Sequence, residues 1–73
     1  MADVEVKSEV AGSVWKVLVA VGDAVSEEQE IMILESMKME IPVEAPCAGT
    51  VAALPVAPEE TVEEDQVLAV IAS

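Results

Sequence analysis

Residues 12–34 read GSVWKVLVAVGDAVSEEQEIMIL, and residues 49–71 read GTVAALPVAPEETVEEDQVLAVI. These are one pattern written twice. A shift of 37 lays residues 6–36 on 43–73 without a gap, and ten of the 31 pairs are identical. The abundance of Val and Ala accounts for some of that agreement. It does not account for Gly12/Gly49, Gln29/Gln66 and Ser36/Ser73. Two copies are too few for a solenoid, which needs at least three units. They suit a closed domain with quasi-two-fold symmetry.

The apolar residues approach alternation in short runs, as at Val14, Val17, Val19 and Val21 or at Met39, Ile41 and Val43. The chain holds 14 Val, four Ile and two Thr, residues whose branched Cβ favours extended backbone. Gly12, Gly22-Asp23, Pro42, Pro46, Gly49, Pro55 and Pro58 punctuate the runs. The expected fold is all-β, with about eight strands near 3–7, 14–20, 24–26, 30–36, 39–44, 50–57, 61–63 and 67–72. It forms one domain over residues 1–73, because so short a chain has no room for a second.

Composition removes whole classes of function. Fifteen acids against three lysines give a net charge of −12, with no Arg and no His. No basic patch can neutralise phosphates, so nucleic acid is not an expected partner. One Cys and no His leave neither a zinc site nor a Cys/His or Ser/His pair, so no catalytic residue and no metal ligand set is expected. The longest apolar run, Val67 to Ala72, is far short of a membrane span, and MADVEVKSEV has none of the marks of a signal peptide. The lone Cys47 suits a reducing compartment, and a cytoplasmic location is expected.

The joint between the halves, LESMKMEIPV at 34–43, reads as a hairpin with Met37-Lys38 as its two-residue loop. Ser36 then faces Met39, Glu35 faces Glu40, Leu34 faces Ile41, and Met32 faces Val43. One face is core-like, with Met32, Leu34, Ser36, Met39, Ile41 and Val43, and the other carries Glu35, Glu40 and Glu44. A slip of one residue would turn the apolar set to solvent. Two local rules are broken here. Such loops favour type I′ geometry with Asn-Gly or Asp-Gly, not Met-Lys. Glu35 opposite Glu40 also sets like charges across the strands. Sequences break local rules mainly at functional sites.

ESMKMEIPV resembles the attachment motif of the biotinyl/lipoyl attachment domain family, which displays Met-Lys-Met at a hairpin tip. The resemblance covers nearly the whole chain, through Gly22-Asp23, the PxxG of Pro46 and Gly49, and the two-fold repeat. It implies a flattened barrel or sandwich of two four-stranded antiparallel sheets, the barrel-sandwich hybrid. It implies biotin in amide linkage to Lys38, added by a biotin protein ligase. Met37 and Met39 flank the site, and Glu35 and Glu40 are candidates for ligase recognition. Lipoyl domains, the related alternative, usually show Asp-Lys-Ala at the tip. The gapless repeat leaves no room for the thumb loop that some members insert, and no Pro/Ala-rich linker precedes the first strand. The chain is thus expected to be a free-standing, non-catalytic carrier. It would shuttle a carboxyl group between the biotin carboxylase and the carboxyltransferase of an acyl-CoA carboxylase, first of all acetyl-CoA carboxylase. Service to a biotin-dependent decarboxylase or transcarboxylase is the alternative within the same class.

Outside the motif, Trp15 reads as a packing residue on a strand, although its repeat mate is Ala52. Cys47 aligns with Val10 and reads as a small apolar filler. Ser36 reads as structural. Glu59, Glu60, Glu63, Glu64 and Asp65 read as a solvated face.

Overall fold

A computed structural model describes residues 3–73. Eight strands follow in order: β1 (Asp3–Lys7), β2 (Gly12–Val17), β3 (Ala24–Val25), β4 (Glu30–Ser36), β5 (Met39–Glu44), β6 (Gly49–Ala53), β7 (Thr61–Val62) and β8 (Val67–Ala72). They form two four-stranded antiparallel sheets, β1-β8-β6-β3 and β5-β4-β2-β7. The all-β sandwich expected from the alternation and the repeat is therefore what forms. Each sheet takes two strands from each half, so neither half owns a sheet.

The repeat is carried by hydrogen bonds as well as by strands. The Ser26 N–H donates to Gln29 Oε1 at 2.9 Å, and at the mated turn the Glu63 N–H donates to Gln66 Oε1 at 2.9 Å. The shared Gln29/Gln66 is thus a side chain that closes a turn. The Ala20 N–H bonds the Asp23 carboxylate and the Ala57 N–H bonds that of Glu60, again as mates. Other bonds run between the halves. Glu28 N–H donates to Ala45 O and Ala45 N–H to Gln29 O, while Asp65 N–H donates to Ser8 O and Ser8 N–H to Gln66 O.

The core holds Val14, Ile31, Met32 and Leu34 from one half, and Val51, Leu68, Ala69 and Ile71 from the other. Ile31-Met32 and Leu68-Ala69 are each buried as neighbours, which a regular strand forbids. Bulges account for this, since the ladder shifts at Ile31 against β5 and at Leu68 against β1. Cys47 and its mate Val10 both pack against the rim of this core. The acidic run 59–65 is exposed at each of its five carboxylates.

The second strand of each half stops earlier than the alternation suggests, at Val17 and Ala53 instead of near 20 and 57. The apolar period continues because Val19 packs on the core and Val56 is buried, while their backbone is already crossing between sheets. Burial, not ladder pairing, sets the pattern there. Trp15 is a clearer departure. It is the extra residue of a bulge between Val14 and Lys16, and it faces solvent at 42% exposure instead of packing inward.

Gly12 and Gly49 are conserved between the halves for a steric reason. A Cβ at Gly12 would run into the Glu35 carbonyl oxygen, and one at Gly49 into that of Ala72. Glu35 and Ala72 are themselves mates, so the same close backbone approach occurs twice. Gly49→Ala is expected to destabilise the domain by about 2 kcal/mol through overpacking. In urea titration the midpoint should fall while the m-value holds.

Candidate functional site

The β4–β5 hairpin is where the chain passes from one half to the other, and its register follows the sequence. Ser36 pairs with Met39, Glu35 with Glu40, Leu34 with Ile41, Ile33 with Pro42 and Met32 with Val43. Pro42 lies on an edge strand, where a missing N–H costs no ladder bond. The loop takes the type I′ form, with φ of 53° at Met37 and 66° at Lys38. Neither residue favours this region, and left-handed backbone costs an L-residue roughly 1–2 kcal/mol. The I′ form suits a two-residue loop here because its backbone twist matches that of the paired strands.

The turn places Lys38 at the exposed tip between two exposed thioethers, Met37 at 92% and Met39 at 64%. Met39 was expected on the core-like face. It stands on that side of the strand, but lies past Leu34, the last core residue of β4, and is left exposed. Glu35 and Glu40 face each other across the strands on the exposed side, as expected.

Two contacts hold the hairpin just beneath its tip. The Ser36 hydroxyl donates to Ala11 O at 2.8 Å, tying β4 to the turn before β2. Gly12 lets the β2 backbone close on Glu35. Sequence reading assigns Ser36 only a general structural part. Its signal was the Ser36/Ser73 match, but the partner lies 25 residues away and is not visible in the sequence.

The other two lysines are placed differently. Lys7 ends β1, and Lys16 lies on β2 with its Nζ 4.5 Å from the centroid of the Trp15 ring, a cation–π contact. Only Lys38 stands on a turn that projects from the body. A group joined to its amine would reach solvent freely, with its point of attachment fixed by the sheet. The tip therefore fits a covalently carried group. A group attached there would supply its own reactivity, with the protein supplying its position.

Comparison with known proteins agrees with this geometry. The sequence model of the family described as "Biotin-requiring enzyme" matches residues 2–71. A biotin carboxyl carrier protein of Streptococcus mutans is 52% identical over 61 residues, covering 84% of this chain and 47% of its own. A biotinylated protein TB7.3 homolog of Mycobacterium leprae is 39% identical over 67 residues, covering 92% of this chain and 94% of its own. The crystal structure of the Kluyveromyces lactis urea carboxylase superposes with a TM-score of 0.92 at 33% identity, covering 99% of this chain and 6% of that one. The chain thus spans about half the length of the streptococcal relative and a small part of the carboxylase. With a match along almost its full length and the lysine-bearing hairpin in place, this chain belongs to the biotinyl/lipoyl attachment domain family, as a member whose cofactor is covalently bound biotin.

Proposed function

We propose that Lys38 is the residue that carries biotin, and that the domain serves as the carboxyl carrier of a cytoplasmic acyl-CoA carboxylase, specifically acetyl-CoA carboxylase. The observation that carries the Lys38 assignment is the I′ turn, which puts this lysine alone at the tip of a projecting hairpin. The streptococcal relative supports the carrier role by its name. The lone, half-buried Cys47 suits the reducing setting.

In this reading the chain's residues position and present. The β4–β5 ladder, the Ser36–Ala11 bond and the Gly12 contact fix the backbone under the tip, so a ligase meets one lysine in one geometry. Amide formation at Nζ removes a positive charge and leaves the chain one unit more negative than −12. Bound biotin supplies a ureido nitrogen able to accept and release a carboxyl group. Tethering keeps that group at high effective concentration for the biotin carboxylase and the carboxyltransferase in turn. Met37 and Met39 offer both enzymes a flexible, polarizable apolar surface beside the attachment point. The acceptor is chosen by the carboxyltransferase, so the carrier surface need not encode it.

Co-expression with a biotin protein ligase, followed by intact mass measurement, tests the assignment. Wild type, Lys7→Arg and Lys16→Arg should each gain one biotin amide, and Lys38→Arg none. Retained biotin in Lys38→Arg would refute it. Co-purification of acetyl-CoA carboxylase subunits from the native cytoplasm tests the parent complex.

The turn makes a second, opposite demand. Replacing Met37-Lys38 by Asn-Gly should relieve roughly 1–3 kcal/mol of backbone strain while abolishing attachment. For a domain this small, a melting temperature higher by about 5 °C or more is expected by calorimetry.

A further inference from the structure

The two-fold relation supplies an internal control for the outer faces of the sheets. On the β5-β4-β2-β7 sheet, the register sets two cross-strand rows below the tip. The nearer is Ser13–Glu35–Glu40 and the next is Lys16–Ile33–Pro42, with Trp15 beside Lys16 at the bulge. The mated rows of the other sheet are Thr50–Ala72–Asp3 and Ala53–Val70–Glu5, with Ala52 at the mated bulge. The backbone is the same on both sides, and the core beneath is closed on both, with Val14 and Val51 each 1% exposed. Ala52 shows that this bulge does not need an indole. Yet the chain's one aromatic residue stands there, 42% exposed and stacked by Lys16, on the sheet that carries Lys38.

We propose that this face is where the enzyme that acylates Lys38 docks, with Trp15 as its aromatic anchor and Glu35 and Glu40 as its charged contacts. The partner surface is an apolar cleft that takes the indole, rimmed by basic side chains that meet the two carboxylates. The inference rests on Lys38 being the modified residue. The occupant follows from reach. An enzyme that joins a group to the Lys38 amine must bring its active site within one lysine side chain of the tip. It therefore covers the flanks of the hairpin. An enzyme acting on the far end of the attached arm works at a greater distance and has no such need. Charge points the same way, since a chain of net charge −12 with two acids at the tip favours and steers toward a basic rim. Trp is among the residues that most often dominate interface energetics. Lys16 restrains the ring before binding, which lowers the ordering cost of docking.

Biotin incorporation by a purified biotin protein ligase provides the test, with the full chain as varied substrate. Trp15→Ala should raise KM at least tenfold with kcat within twofold of wild type, the pattern of lost docking. Trp15→Phe should recover most of the loss. Moving the indole to the mated position, with Trp15→Ala and Ala52→Trp together, should not. Because Trp15 is the only tryptophan, 5-fluorotryptophan labelling of a Lys38→Arg chain gives a single 19F resonance, which should shift on titration with unlabelled ligase. An unchanged KM for Trp15→Ala overturns the proposal. So does a raised KM with an unmoved resonance, since Trp15 would then act through the fold. If the wild-type chain takes no biotin at all, the Lys38 assignment falls first and this inference with it.

Discussion

The backbone bonds that each half makes to the other govern this domain. Glu28 and Ala45 bond across the halves, and Asp65 and Ser8 repeat the arrangement. Each sheet draws strands from both halves, so a half-unit alone would leave its ladders open and its apolar face wet. The domain is too small to bury more than about 60% of its unfolded surface, and its one cysteine precludes an internal disulfide. Interleaving two copies closes one shared core without a disulfide. It also explains why small residues recur at mated positions. Gly12 and Gly49 are the points where the two halves bring backbone against backbone.

The same interleaving sets the hairpin apart. Met37 and Lys38 lie at the joint between the two copies, outside the aligned segments 6–36 and 43–73. They are free of the constraints that the mated residues share. The hairpin's register is nonetheless fixed by six paired positions in β4 and β5, which form the two-layer core's longest ladder. A rigid base under an unconstrained tip is what the presentation of one lysine requires.

Much of this was legible in the residues. The repeat gave the two-fold arrangement, and the Met32–Val43 and Leu34–Ile41 pairs gave the hairpin register, because one face of it must be buried. The bulges were not legible. Ile31-Met32 and Leu68-Ala69 break a period of two, and a bulge leaves no residue type by which to find it. Trp15 was misplaced for that reason, since its side depends on the bulge beside it. Met39 stands on the expected side, and its exposure escaped for another reason. Alternation gives the side of a strand but not where the facing layer ends. The Ser36–Ala11 bond joins residues far apart in sequence, and only the closed fold brings them together.

Symmetry also separates two kinds of strain. Among the described residues, five other than glycine have positive φ: Glu28, Met37, Lys38, Glu59 and Asp65. Glu28 and Asp65 are mates, at 68° and 69°. Glu59 is the mate of Gly22, which is also positive. These three follow from turns that the half-unit uses twice; both copies bear the cost at 28/65, and only Glu59 bears it at 22/59, where Gly22 takes positive φ freely. Met37 and Lys38 lie at the joint between the aligned segments, so the repeated architecture does not demand their residue types. An Asn-Gly pair would serve the same I′ turn with less strain. Trp15 stands in the same relation to Ala52, as a departure that the bulge itself does not need. Where two copies of one unit must fold alike, features found in both belong to the fold. The Met37-Lys38 turn and the exposed Trp15 lie outside that shared set, and both belong to the sheet built on β4.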